Sequence, residues 1–181
     1  MLKKDLLRYT QYVDGGMLKK TICCYRSPGV HAIITYRFGR WLRGKNILVR
    51  LLLEPFFLFY YHRVRSKWGI EIPRNAQIAA GLYVGHYGGI FISPEAKIGE
   101  NFSISQQVTI GESGRGEKKG VPIIGDNVYV APGAKVFGKI TIGNNVKIGA
   151  NCVIHKDLSE NSIVALDPGH KVISTRGNKK K

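Results

Sequence analysis

A period of six in the aliphatic residues, broken twice by polar insertions and preceded by a basic, apolar-cored stretch, predicts a mainly β chain. The expected architecture is a left-handed parallel β-helix behind an α-helical N-terminal segment. The 181 residues suffice for one ordinary domain, or for a core with a helical annex. With 44% hydrophobic and 22% charged residues, the chain is not a disordered tail. Its three cysteines (Cys23, Cys24, Cys152) are too few for a disulfide scaffold, and no Cys/His spacing resembles a metal site, so no metal is expected. The start MLKKDLLRYTQYVDGG lacks a continuous apolar run with a cleavage site, which reads as intracellular and cytoplasmic.

Residues 1–69 form the expected helical segment. Residues 1–70 carry 14 basic and 3 acidic residues, a net +11, out of a formal +16 for the whole chain. Asn46–His62 (NILVRLLLEPFFLFYYH) is the most apolar stretch. It is short for a bilayer span, contains Arg50, Glu54 and Pro55, and is flanked by basic residues on both sides. It reads first as a helix packed on its own domain or on a neighbouring subunit, and second as an element lying on an anionic membrane, at the inner face of the cell membrane.

Residues 70–160 carry the repeat. Ile72, Ile78 and Val84 step by six, as do Ile92, Ile98, Ile104 and Ile110, and then Ile124, Val130, Val136, Ile142, Ile148 and Ile154. Two residues before each lies a second small or apolar set, running from Ile70 and Ala76 to Val146 and Cys152. Neither helical spacing nor strand alternation gives this pattern. A prism does: each hexapeptide makes one face, three faces make a coil, and stacked coils bury both sets as inward ladders. That handedness departs from the usual right-handed crossover. Glycines 85, 99, 111, 125, 143 and 149 follow the first set, where tight corners are expected to need a permissive backbone. Cys152 belongs to an inward ladder and reads as core.

The two breaks are the places to look for chemistry, because insertions into a solenoid must bulge outward. The step from Val84 to Ile92 is eight and contains GHYGGIF with His86. The step from Ile110 to Ile124 is fourteen and contains ESGRGEKKG, a protruding loop over 111–123. Residues 161–181 form a C-terminal segment ending in the basic tail RGNKKK.

The hexapeptides, GLYVGHYGGIFISPEAKIG, the loop after VTIG, and IVALDPGHKVI together resemble the hexapeptide acyltransferases. The nearest branch is that of the serine O-acetyltransferases and related sugar O-acetyltransferases, and YRSPGVHAIITYRFGRWL resembles the helix that precedes the repeats there. The likeness covers roughly residues 22–175. It implies an enzyme with acetyl-CoA as co-substrate and a histidine general base, oriented by a carboxylate fifteen residues upstream: here His86 and Glu71. An imidazole near neutral pKa takes a hydroxyl proton as the oxygen attacks the thioester. A carboxylate on its other nitrogen fixes the tautomer. The resemblance also implies CoA contacts at Ser113, Gly114, Ala131 and Lys147, and a homotrimer, with trimers pairing through the N-terminal helices as a further option.

The chain departs from the serine branch at the acceptor. The aspartate before the histidine is Gly85, and the loop's Arg-His pair aligns with Gly120 and Val121. A zwitterion would lack charge partners there, whereas a sugar hydroxyl needs none. A capsular, exopolysaccharide or lipid-linked glycan is therefore the expected acceptor, with Gly85, Arg115, Lys118 and Lys119 beside it. Serine, in cysteine biosynthesis, is the alternative. A non-catalytic, membrane-associated scaffold needs only the repeat, and the Glu71/His86 pair speaks against it. His31, His62, His155 and His170 read as packing or surface residues. A metal enzyme of the carbonic anhydrase type would need three convergent histidines and is excluded, and no base-reading nucleic-acid motif is present.

Overall fold

The computed structural model describes residues 1–11 and 13–166; the basic tail and His170 lie outside them. Four helices come first: α1 (Leu2–Thr10), α2 (Met17–Arg26), α3 (Pro28–Arg43) and α4 (Ile47–Trp68). Pro28 opens α3 at a position where its missing N–H costs nothing. Asn46 caps α4 by accepting from Val49 N at 3.0 Å. Gly69 closes α4 in the left-handed conformation at φ 60°, and the chain enters the first strand one residue later.

The strands then wind as a left-handed parallel β-helix with three faces. The first face stacks β1 (Ile70–Glu71), β4 (Ile90–Ile92), β7 (Thr109–Gly111), β10 (Lys135–Phe137) and β13 (Val153–Ile154). The second stacks β2 (Gln77–Ile78), β5 (Lys97–Ile98), β8 (Ile123–Ile124) and β11 (Thr141–Ile142). The third stacks β3 (Tyr83–Val84), β6 (Ser103–Ile104), β9 (Tyr129–Val130), β12 (Lys147–Ile148) and β14 (Ile163–Val164). Every pairing is in register, Ile78 with Ile98 and Ile98 with Ile124, so like residues stack on like. Both aliphatic sets are buried throughout, Cys152 and Pro122 included. Each fully buried Ile or Val contributes roughly 1.5–3 kcal/mol.

The corner glycines hold a different role from the one expected. Glycines 85, 99, 111, 125, 143 and 149 have no positive φ; left-handed corners fall instead at Asn101, Asn127, Asn145 and Asn161, and also at Gln107, Asn151, Gly81 and Gly133. What Gly99 and Gly143 supply is close approach. A Cβ on Gly99 would stand 2.7 Å from the carbonyl carbon of Gly125, and one on Gly143 would stand 2.4 Å from Glu160 N. The four asparagines form a ladder between the second and third faces. Asn101 Nδ2 donates to Asn127 Oδ1 (2.9 Å), Asn127 to Asn145 (3.1 Å) and Asn145 to Asn161 (3.0 Å).

The helices close the open end of the prism. Asp5, fully buried, accepts from Gly81 N (2.6 Å) and Leu82 N (2.8 Å) and pairs with Arg37 Nε at 2.7 Å. Arg37 donates onward to the carbonyls of Ile78 and Ala79. Tyr36 Oη donates to Ala76 O and accepts from Ile78 N, and Tyr9 Oη does the same with Val84 O and N. Arg8 reaches the carbonyls of Gly81 and Phe102. Part of the N-terminal positive charge is thus used internally.

Removing one partner of a buried ion pair strands the other. Arg37→Ala is expected to lower unfolding free energy by about 3–5 kcal/mol in urea titration, and Tyr36→Phe by about 1–3 kcal/mol. An Arg37→Ala loss below about 1 kcal/mol would remove the cap from its proposed importance. Burial raises the phenols of Tyr9 and Tyr36, against the opposing effect of their backbone hydrogen bonds. A raised folded pKa gives stability that is complete below the unfolded value and lost above it. Stability should therefore begin to fall above about pH 10 in alkaline titration followed by circular dichroism.

Candidate active site

The GHYGG insertion turns the corner between the third and first faces, from the end of β3 to the start of β4. Gly88 and Gly89 take φ of 101° and 67°, which only glycine adopts freely. Gln107 N donates to Gly88 O at 2.7 Å, tying the insertion to the next coil. His86 and Tyr87 are exposed on it.

Glu71 lies on β1 of the first face, in register with Phe91 on β4. Its carboxylate meets Arg65 Nη2 at 3.1 Å. Among the described residues His86 makes no side-chain hydrogen bond, so the single chain does not close the expected Glu71–His86 contact. The competing partner arises from the helix–strand junction. Gly69 N donates to Arg65 O at 3.0 Å, and the left-handed turn folds the end of α4 back onto β1. The Arg65 guanidinium also lies 5.5 Å from the Tyr61 ring centroid. Burial raises the Tyr61 phenol, with the Glu71 charge adding to the shift and Arg65 opposing it.

A cleft of about 500 Å³ opens at this junction, lined by His62, Arg65, Glu71, Gly89 and Phe91 among others. His62, expected to pack, is instead exposed in the cleft, with its Nε2 3.3 Å from Ser66 Oγ. His31 packs its ring on Trp68 at a centroid distance of 4.9 Å. Among the described residues no three His, Cys, Asp or Glu side chains gather as a metal site. Arg65, Phe91 and Gln107 were not legible as site residues. The only sequence trace of Arg65 is an opposite charge six positions before Glu71.

The second insertion leaves the first face after β7 and returns at β8. Ser113 and Gly120 close its neck with reciprocal backbone bonds of 3.0 Å. Gly114 has φ 95°, and a 3-10 turn spans Gly116–Lys118. Arg115 is exposed, Lys119 pairs with Glu112 at 3.2 Å, and the side chain of Lys118 lies outside the described residues. Ala131 and Lys147 sit on the third face, on adjacent coils: Ala131 N donates to Ile148 O at 2.9 Å. Ser113 and Gly114 therefore lie at the edge between the first and second faces, away from Ala131 and Lys147.

The two glycines expected on the acceptor side, Gly85 and Gly120, differ sterically. At Gly85 an added Cβ meets only the Tyr83 ring edge at 3.3 Å and a carbonyl at 3.9 Å. At Gly120 it would stand 2.7 Å from Lys139 Cβ and 3.2 Å from its Cα, so the neighbouring coil occupies the space.

Three comparisons bear on this arrangement. Residues 122–156 match the family model "Bacterial transferase hexapeptide (six repeats)". The chain is 36% identical to a serine acetyltransferase of Helicobacter pylori over 137 residues, covering 75% of each. It is 40% identical to that of Staphylococcus xylosus over 146 residues, covering 80% of this chain and 64% of the relative. The serine acetyltransferase of Brucella abortus in complex with coenzyme A superposes with a TM-score of 0.74 at 28% identity, covering 92% of this chain and 64% of the other. The chain thus spans a little under two thirds of two of these three proteins.

The steric contrast is measurable. Gly120→Ala is expected to cost about 1–3 kcal/mol in thermal unfolding, and Gly85→Ala to stay within about 0.5 kcal/mol. Equal losses at the two positions would contradict the contrast.

Proposed function

The chain belongs to the hexapeptide-repeat acyltransferases, and on that premise we propose that it transfers acetyl from acetyl-CoA to a hydroxyl, with L-serine as acceptor. The observation that carries this reading is His86, exposed on the GHYGG insertion fifteen residues after Glu71, in a chain matching serine acetyltransferases over most of its length. His86 takes the proton of the acceptor hydroxyl while that oxygen bonds to the thioester carbonyl carbon. The carbon–sulfur bond then breaks, and the imidazolium returns the proton to the departing thiolate. Glu71 stabilises the imidazolium once it exchanges Arg65 for His86. Acetyl-CoA is supported by the coenzyme A complex of the B. abortus relative.

Ser113, Gly114, Ala131 and Lys147 form one groove for the pantetheine arm only if two copies supply them. One copy offers its loop and the next its third face, as in a homotrimer. Backbone N–H groups of the loop are suited to an oxyanion.

The relatives favour serine over the glycan first expected. A specific observation keeps a carbohydrate hydroxyl as the second reading: Gly85 and Gly120 bring no charge to the acceptor side, and Lys139 fills the space where an arginine at 120 would stand. Arg115, Lys118 and Lys119 on the loop suit an acidic glycan.

Incubation with acetyl-CoA and serine, beside a panel of neutral and acidic glycans, with coenzyme A release as readout, separates the two. Serine-dependent release supports the first reading; release with a glycan and none with serine replaces it by the second. His86→Ala should lower kcat by about 10²–10⁴-fold with whichever acceptor turns over. A near-normal rate would overturn His86 as base.

A further inference from the structure

The outer faces of α2 and α4 are unpartnered and carry two features together. Ile47, Leu48, Leu51, Leu52, Phe56 and Phe59 recur at helical spacing on the outside of α4, and all are more than half exposed. In α2 no residue is buried, and Met17, Leu18 and Tyr25 stand three-quarters exposed. Monomeric surfaces rarely show an apolar stripe of this length without a use for it. Between the C-terminal ends of α2 and α4, beside the start of α3, a cavity of about 580 Å³ is walled by Tyr60, His31 and Trp68 and by three cations, Arg26, Arg63 and Lys67. Among the described residues no acidic side chain lines it. The nearest acid on α4, Glu54, is paired with Arg74 at 2.7 Å.

We propose that this face docks on an anionic phospholipid surface, with the α4 stripe in the interface and the Arg26/Arg63/Lys67 cavity taking a headgroup phosphate. Charge complementarity selects this occupant over a second copy of the chain. A two-fold contact sets a patch against itself, and here it would press the same cations together with no acid between them. Among the described residues no helix is long and apolar enough to cross a membrane, so the mode is lying on the surface. Phe59 belongs to both the stripe and the cavity wall, which makes them one continuous surface.

Flotation of the full chain with vesicles tests this independently of any acetyl transfer. Vesicles containing phosphatidylglycerol should retain about ten-fold more protein than pure phosphatidylcholine at low salt, with retention falling as salt rises. Millimolar inorganic phosphate should not release it, since the surface and not free phosphate is the ligand. The exposed triple variant Leu48→Ser/Leu52→Ser/Phe56→Ser should lose about ten-fold of the binding. Arg63→Glu/Lys67→Glu should abolish the preference for anionic vesicles. Equal retention on both vesicle types, or binding unchanged in either variant, would overturn the proposal. So would a wild-type oligomer that the triple variant dissolves, because a second copy would then cover the stripe.

Discussion

A stack of parallel strands has two ends, and at each end a row of backbone groups faces nothing. In this chain the first end is β1, β2 and β3, and its open edge is satisfied by side chains rather than by another strand. Asp5 takes two amides, Arg37 two carbonyls, and Tyr36 and Tyr9 one of each. An exposed strand edge otherwise invites pairing with another chain, and a repeat array needs a terminal unit unlike the rest. The helical segment is that unit. It also fixes where α4 ends, and hence the Gly69 turn, Arg65 over Glu71, and the cleft beside the GHYGG insertion.

What the sequence revealed and what it hid divide along physical lines. The inward ladders were legible because burial in a prism repeats every six residues, and a period survives without knowledge of any contact. His86 stood out as a candidate for the opposite reason: it sits where the period fails. The corner glycines were legible as required but not for the right cause, since intercoil crowding leaves the same sequence mark as a left-handed turn. The cap was not legible at all. Asp5 meets Gly81 across 76 positions, and no local pattern announces a contact of that kind. Arg65 was hidden likewise, because its placement over Glu71 depends on how one glycine turns a helix into a strand.

The two glycines expected beside the acceptor differ in how their backbone excludes a side chain. Gly85 sits in space that a side chain could occupy with little adjustment, whereas Gly120 is pressed by the neighbouring coil. The first is a choice of residue within an unchanged backbone. The second is built into the path of the loop and of Lys139, which also donates to Glu117 O at 3.2 Å. Placing a charged side chain at position 120 would therefore require remodelling the loop neck and not merely exchanging side chains.

The asparagine ladder carries a liability with a direction. Asn127 and Asn145 each give an Nδ2 proton to the following coil and take one from the preceding coil, so the rungs polarise in one sense along the prism. Slow hydrolysis of Asn127 or Asn145 to a carboxylate would delete the donor and leave two oxygens facing each other across the gap. The damage would fall on one side only, because the new carboxylate still accepts from the coil before it and loses its bond to the coil after it. Asn161, which only accepts in the ladder, would age with no rung lost, whereas the same change at Asn101, Asn127 or Asn145 breaks the ladder toward the following coil.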